Sequence, residues 1–330
     1  MTIVVILILI ALVFDFYNGM NDAANSIATV VSTKVLSPLQ GVAWAAFFNF
    51  ISAFIFGVNV ATTIGKGIVD PAIVDNQVIF AALIGAIFLT ATATHNGLPI
   101  SVSHAIIGGF SGAAITKSGF AALKMDGIIK VVAFIFLSPL IGFILGLIIS
   151  IITLWLVRKE PPRKVDKTFR TLQLISAAAY SMGHGTNDAQ KTMGIITVLL
   201  FSNGLIKTFY VPFWVIISCH IAIALGTLAG GWKVIRTLGM RVTKLRPFHG
   251  FSAEFSAALT LFGASSFGIP VSTTHTITGS IVGVGSIQHF SAVKWGIARN
   301  IFLAWILTIP LSALFSAITF LIVNFSAHYI

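Results

Sequence analysis

The chain has 330 residues, of which 57% are hydrophobic and only 9% are Asp, Glu, Lys or Arg, against about 25% charged in ordinary soluble domains. With a mean hydropathy of +0.99, it carries more apolar surface than a soluble core absorbs, so most of that surface faces lipid. The net charge of +11 does not point to nucleic acid, because the Lys and Arg residues cluster in two short segments, as the positive-inside rule expects of a membrane protein.

In chain order, hydrophobic runs of spanning length fall at 2–33, 40–64, 77–115 and 128–157, and recur at 171–203, 210–232, 251–289 and 296–328. The first run is interrupted at Asn21-Asp22-Ala23, and its counterpart at Asn187-Asp188-Ala189. The third is interrupted at Leu98-Pro99-Ile100-Ser101-Val102-Ser103-His104, and its counterpart at Ile269-Pro270-Val271-Ser272-Thr273-Thr274-His275. Two halves with the same motifs in the same order, offset by roughly 166 to 171 residues, predict a duplicated membrane carrier with one site at the repeat interface. The expected fold is an all-α polytopic membrane protein built from inverted-topology repeats with broken helices or re-entrant hairpins. The repeats are 1–157 and 171–330, joined by a basic linker, 158–170. For the runs with a Pro-containing break, a hairpin that enters and leaves by one face is favoured over two full spans, since broken backbone at membrane depth is tolerated where it lines a polar cavity.

The linker contains Pro161 and Pro162 and six basic residues by Arg170, and is the expected cytoplasmic loop. A second basic segment, with Lys233, Arg236, Arg241, Lys244 and Arg246, belongs on the same side; its first-half counterpart has Lys66 against Asp70 and Asp75. Like segments with unlike charge are what inversion predicts, and they place the N-terminus outside. The first 14 residues lack a basic region and a cleavage site, so no signal peptide is expected. The single cysteine, Cys219, lies in an apolar run and reads as a buried, inert thiol.

Asp22 and Ser26 stand four residues apart, which puts them on one helical face, with Asn21 and Asn25 adding amide oxygens. Such hard oxygen ligands suit Na+ or accept a proton. An ionised Asp at membrane depth costs at least about a few kcal/mol unless a cation or donor meets it. An ordinary aqueous N-cap is the competing reading, and repetition in the second half, with Asn187 and Asp188, weakens it. Lys191 stands where the first half has Asn25. Its ammonium can neutralise Asp188, contact an anionic substrate or replace a cation that the first half recruits from solution; snorkelling to the interface is the plainer alternative.

The Pro-Ile/Val-Ser-x-Ser/Thr-His segments are the anion-site candidates. Ser101, Val102, Ser103, Ser272, Thr273 and Thr274 open helices there, combining hydroxyls with unpaired backbone N–H groups at positive helix ends. Two such ends converging near the midplane make a nest for a tetrahedral oxyanion. Gly108, Gly109, Gly279 and Gly283 allow close helix approach. His104 and His275 carry no metal-site spacing and read as interhelical hydrogen-bonding groups, with His95, His184 and His220 weaker still. Glu254 has Leu83 at its first-half equivalent. It is a candidate for the coupling cation or a proton relay, or else the partner of a nearby basic group.

At Gly19-Met20-Asn21-Asp22-Ala23-Ala24-Asn25-Ser26, Gly183-His184-Gly185-Thr186-Asn187-Asp188-Ala189 and Pro270-Val271-Ser272-Thr273-Thr274-His275, the chain resembles the inorganic phosphate transporter (PiT) family, close to its bacterial and archaeal low-affinity members. The resemblance covers essentially the whole chain. It implies a transport core with a scaffold that forms a homodimer in the cytoplasmic membrane, and cation-coupled uptake of inorganic phosphate. It also implies that Asp22, Asn25 and Asp188 help hold cation and substrate, and that the tips at Ser101 to Ser103 and Ser272 to Thr274 surround phosphate. Members of the animal branch carry Glu where Asn49 aligns and an Asn-like residue where Lys191 stands, so the coupling ion, Na+ or H+, stays open.

Independently of the resemblance, a carboxylate near the anion accepts a hydrogen bond from protonated phosphate and repels sulfate, which favours phosphate. Sulfate or another oxyanion, and proton-coupled metal phosphate, remain the alternatives. No GxxxxGK[ST] motif is present, and no organic cofactor is expected. Two compact polar patches argue against a channel, and the lack of a nucleophile and base pair argues against an intramembrane phosphate-ester enzyme.

Overall fold

The computed structural model describes every residue except Phe56, 242–244, 288–289 and 330, and every side chain except those and 239–241, 292 and 327–329. Lys244 of the second basic segment therefore lies outside the described residues, as does the side chain of Arg241. The fold is all-α. The first half comprises α1 (Thr2–Ser32), α2 (Pro38–Ile51), α3 (Asn59–Gly67), α4 (Asn76–Asn96), α5 (Val102–Ser118) and α6 (Met125–Val157). The second comprises α7 (Pro162–Ser202), α8 (Phe213–Ala229), α9 (Trp232–Arg241), α10 (Pro247–Ser266), α11 (Thr273–Gly285) and α12 (Trp295–Tyr329), matching the first element by element. The helices α1, α4, α6 and α12 are each long and apolar enough to cross a membrane, and α8 and α9 form a bent pair at 76° that passes the same test together.

The Asn-Asp motifs interrupt the hydropathy of the first and fifth runs but not their backbone: α1 is one helix of 31 residues and α7 one of 41. Ala, Met and Leu favour the helix, and the motif's polar groups find partners on neighbouring helices, so nothing forces a break. Likewise, most of the expected linker 158–170 is helical. Pro162 takes the first helical position, where its missing N–H costs nothing, and α7 runs on from there.

The hairpins break where expected. Gly97 ends α4 in the left-handed conformation at φ +70°, and Gly268 holds the same place after α10 at φ +65°, a region open to glycine at no steric cost. Each chain then re-enters a helix through a serine cap: Ser101 Oγ accepts from His104 N at 3.2 Å, and Ser272 Oγ accepts from His275 N at 3.3 Å. The equivalent helices α1 and α7 run antiparallel, since Thr33 near the end of α1 bonds Gln173 near the start of α7 at 2.9 Å, while Asp22 lies beside His184 further along. Antiparallel equivalents are what inversion of the halves requires.

Each half's last helix grips the other half's hairpin: α6 lies along α11 and α12 along α5. The four glycines singled out above sit at these crossings and at the α4–α5 contact. A Cβ on Gly279 or Gly283 would collide with the carbonyl oxygen of Pro139 or Phe143, and one on Gly108 with that of Ile309. Pro139 lacks an N–H, which frees the Ile135 carbonyl four residues earlier, and His275 Nδ1 stands 3.3 Å from that oxygen.

A Cβ on Gly109 would stand 2.7 Å from Ala82 O and 2.9 Å from Ser316 Oγ. Gly109→Val is therefore expected to destabilise the detergent-solubilised protein by about 1–3 kcal/mol, read as a lower melting temperature; unchanged melting would contradict this packing.

Candidate functional site

The two hairpin tips meet each other in the protein interior. Ser103 Oγ lies 3.3 Å from Val271 O, and Thr274 Oγ1 lies 3.2 Å from Ile100 O. These two contacts are counterparts: each tip hydroxyl reaches the backbone carbonyl of the other tip. The His104 and His275 rings touch edge to face at 4.7 Å, and His275 stacks on Trp305 at 3.8 Å. Both histidines thus sit in the interhelical packing, as expected. The caps leave the N–H groups of Val102 and Ser103 and of Thr273 and Thr274 without an intrahelical acceptor, so two positive helix ends face the junction.

The midpoints of α1 and α7 flank the junction, and their motif side chains converge on it. Thr273 Oγ1 lies 2.8 Å from Asp188 Oδ2 and 3.3 Å from Asp22 Oδ2, and Thr274 Oγ1 lies 3.3 Å from Asp22 Oδ1. His184 Nε2 stands 3.1 Å from Asp188 Oδ2 and 3.7 Å from Asp22 Oδ2, joining the two carboxylates. One ligand atom from each of Asp22, His184 and Asp188 lies within 4.8 Å of the others, a spacing that admits a cation. Asp22, Asp188, His184 and Lys191 are all at most 1% exposed.

Lys191 is not at the interface, which excludes the snorkelling reading. Its ammonium bonds Asp188 Oδ1, Ser103 Oγ and Val271 O, so all three protons are placed. Asn25, its counterpart, donates to Thr274 Oγ1 at 2.9 Å. Asn21 and Asn187 tie the motif helices to the hairpins, the first to Thr94 Oγ1 at 2.8 Å and the second to Ser265 Oγ at 3.0 Å. Their Oδ1 atoms, with Asn25 Oδ1, Ser26 Oγ and Thr192 Oγ1, are buried and have no hydrogen-bond partner among the described residues. Each is a hard oxygen with free lone pairs, the kind of ligand a cation such as Na+ takes.

Glu254 lies outside this cluster. It accepts from Ser176 Oγ at 2.5 Å and Gln173 Nε2 at 3.0 Å, and Gln173 continues to Thr33. It forms no ion pair among the described residues, so the reading that gave it a basic partner is set aside.

Three residues were missed or undervalued in the sequence. His184 carries no metal-site spacing, yet its Nε2 stands close to both aspartates. Asn49 orients it: Thr227 Oγ1 donates to Ile223 O and accepts from Asn49 Nδ2 at 3.0 Å, which turns Asn49 Oδ1 towards His184 Nδ1 at 3.2 Å. Asp15 is fully buried, with Oδ2 unpartnered among the described residues, and faces Thr192 and Cys219. Its signal was present in the sequence: seven residues before Asp22 is two helical turns, hence the same face.

The chain is similar to known proteins along nearly its whole length. The profile of the Phosphate transporter family matches residues 18–316. A protein of Rhizobium meliloti (strain 1021) named "Probable low-affinity inorganic phosphate transporter" is 56% identical over 315 residues, 95% of this chain and 94% of its own length. One of the same name from Bacillus subtilis (strain 168) is 45% identical, with 97% of each chain covered. A solved structure titled "The sodium-dependent phosphate transporter" is 27% identical with a TM-score of 0.88, covering 98% of this chain and 100% of that one.

Asp188 faces an ammonium and Asp22 faces none, and removing one partner of a buried ion pair costs roughly 3–5 kcal/mol. Asp188→Asn should therefore melt well below Asp22→Asn in detergent; equal melting, or the reverse order, would contradict the pairing.

Proposed function

Because the chain belongs to the phosphate transporter family, we propose that it is a secondary carrier that moves inorganic phosphate across the cytoplasmic membrane with a coupling cation, Na+ or H+, by alternating access. It is a transporter and an integral membrane protein, not an enzyme. The observation that carries the mechanistic reading is the junction of two helix N-termini flanked by two buried aspartates.

The anion is held at the junction by the N–H groups opening α5 and α11 and by the hydroxyls of Ser103, Thr273 and Thr274. Ser101 and Ser272 act indirectly, as caps that fix these ends, and Val102 contributes its backbone N–H. Asp22 and Asp188 accept hydrogen bonds from the protons that phosphate carries near neutral pH and sulfate lacks. An anion beside two carboxylates is unfavourable unless positive charge enters with it, and this requirement couples the cation to the substrate. Asp22, Asn21 and Asn25 offer oxygens for that cation on one side, and Asn187 and Asp188 on the other. Glu254, with Gln173, Ser176 and Thr33, forms a separate polar station between α7 and α10, placed for passage of the cation to or from the centre.

Alternating access follows if the two halves are inverted and exchange exposure of one central junction. With the basic segments 158–170 and 233–246 in the cytoplasm, the N-terminus lies outside. The lipid-facing helices of two copies pair in a homodimer.

A second reading draws on the Asp22, His184 and Asp188 trio. Carboxylate and imidazole ligands together suit a divalent metal, and a neutral metal phosphate would then be the species carried, with proton coupling. Omission of divalent metal abolishes uptake under that reading and leaves it intact under the first.

Radiolabelled phosphate uptake into proteoliposomes under an imposed Na+ or proton gradient tests the proposal. One gradient should drive uptake, excess sulfate should not compete, and Asp22→Asn should cut uptake roughly 10- to 100-fold, the loss of one charged hydrogen bond, while remaining folded. Undiminished uptake by Asp22→Asn would overturn the role given to that carboxylate.

A further inference from the structure

The matched contacts around the junction allow the two halves to be compared atom by atom. In the second half, the Lys191 ammonium sits among Asp188 Oδ1, Ser103 Oγ and Val271 O: a carboxylate, a hydroxyl and a backbone carbonyl. The first-half counterparts of these three are Asp22 Oδ1, Thr274 Oγ1 and Ile100 O. They are also gathered together, with Thr274 Oγ1 3.3 Å from the first and 3.2 Å from the last. What differs is the residue between them. Asn25 donates its amide to Thr274 Oγ1 and leaves Oδ1 unpartnered, so the first-half set gains another oxygen and no charge.

We propose that the Lys191 ammonium is a covalently tethered counter-ion that permanently fills the second-half cation position, so that this carrier recruits its exchangeable cation at the first-half position only. The inference rests on the reading of the junction as a phosphate site and adds to it a limit on coupling number. A tethered ammonium neutralises Asp188 in every conformation of the cycle, whereas Asp22 requires a cation from solution each time phosphate binds. Lys and a bound monovalent cation are interchangeable here because the three acceptors match the three protons of an ammonium as well as they match hard-cation coordination. Of the two halves, the one that binds and releases the coupling ion is thereby assigned.

Transplanting the tether tests this. Three variants are made in the full-length protein: Lys191→Asn, Asn25→Lys and the double swap Asn25→Lys/Lys191→Asn. Phosphate uptake is measured against the concentration of the cation that drives it in the wild type, Na+ or H+, and melting of the purified proteins in Na+ against choline at equal ionic strength. Lys191→Asn should raise the log–log cation dependence of uptake by about one ion and should be stabilised by Na+ more than the wild type is. Asn25→Lys should lose Na+ stabilisation. The double swap moves the tether to the other half and should recover both folding and a wild-type slope. A Lys191→Asn protein that matches the wild type in slope and in Na+ stabilisation overturns the proposal, as does a double swap that recovers neither folding nor uptake. Wild-type uptake in the same liposomes reports phosphate transport by itself, and the melting assay needs no transport, so failure of the tether and failure of the phosphate reading are told apart.

Discussion

The contact between the opening turns of α5 and α11 is the constraint around which this molecule is organised. Two helix ends of like partial charge, each capped by a serine, are held tip to tip with each hydroxyl reaching the other's backbone carbonyl. Such an arrangement repels itself unless negative charge lies nearby. Asp22 and Asp188 supply it from the middles of two long, unbroken helices, which can carry carboxylates to that depth because their own backbone is fully bonded. The aspartates in turn need positive charge, which Lys191 provides for Asp188. The balance left over is what a cation and a protonated anion entering together would complete.

The packing serves the same end. The hairpins are held by helices from the opposite half, with glycines where backbone meets backbone. Each tip is therefore supported by the repeat it does not belong to. The His275 contact with the Ile135 carbonyl, freed by Pro139, locks the second hairpin to α6. Its first-half equivalent, His104, has an Nδ1 with no hydrogen-bond partner among the described residues. The two hairpins are thus anchored unequally.

Much of this was legible in the sequence, for definite reasons. Repeated motifs in the same order at nearly the same offset reveal a duplication, and Gly97 with Pro99, like Gly268 with Pro270, marks a helix end and a new start through local backbone preferences that tertiary packing rarely overrides. The convergence of Asp22, Asp188, Lys191, Ser103, Thr273 and Thr274 followed from the symmetry those motifs imply. The continuity of α1 and α7 was not legible, because polarity at membrane depth reads as a break when its partners lie on other helices: Thr94 for Asn21, Ser265 for Asn187. The helical start of α7 was hidden by its prolines, which end one helix and open the next equally well. The contact between His184 and Asn49 was not legible because it spans distant segments with no periodic signal, and Glu254 gave no sign that its partners would be an amide and a hydroxyl.

The role of the junction depends on where phosphate binds. A cryo-electron microscopy structure of the protein in lipid, determined with and without saturating phosphate, tests it most directly. One tetrahedral density should appear with phosphate at the junction, within hydrogen-bonding distance of the N–H groups opening α5 and α11 and of the carboxyl groups of Asp22 or Asp188. Phosphate density elsewhere in the molecule, with the junction unchanged, would contradict it.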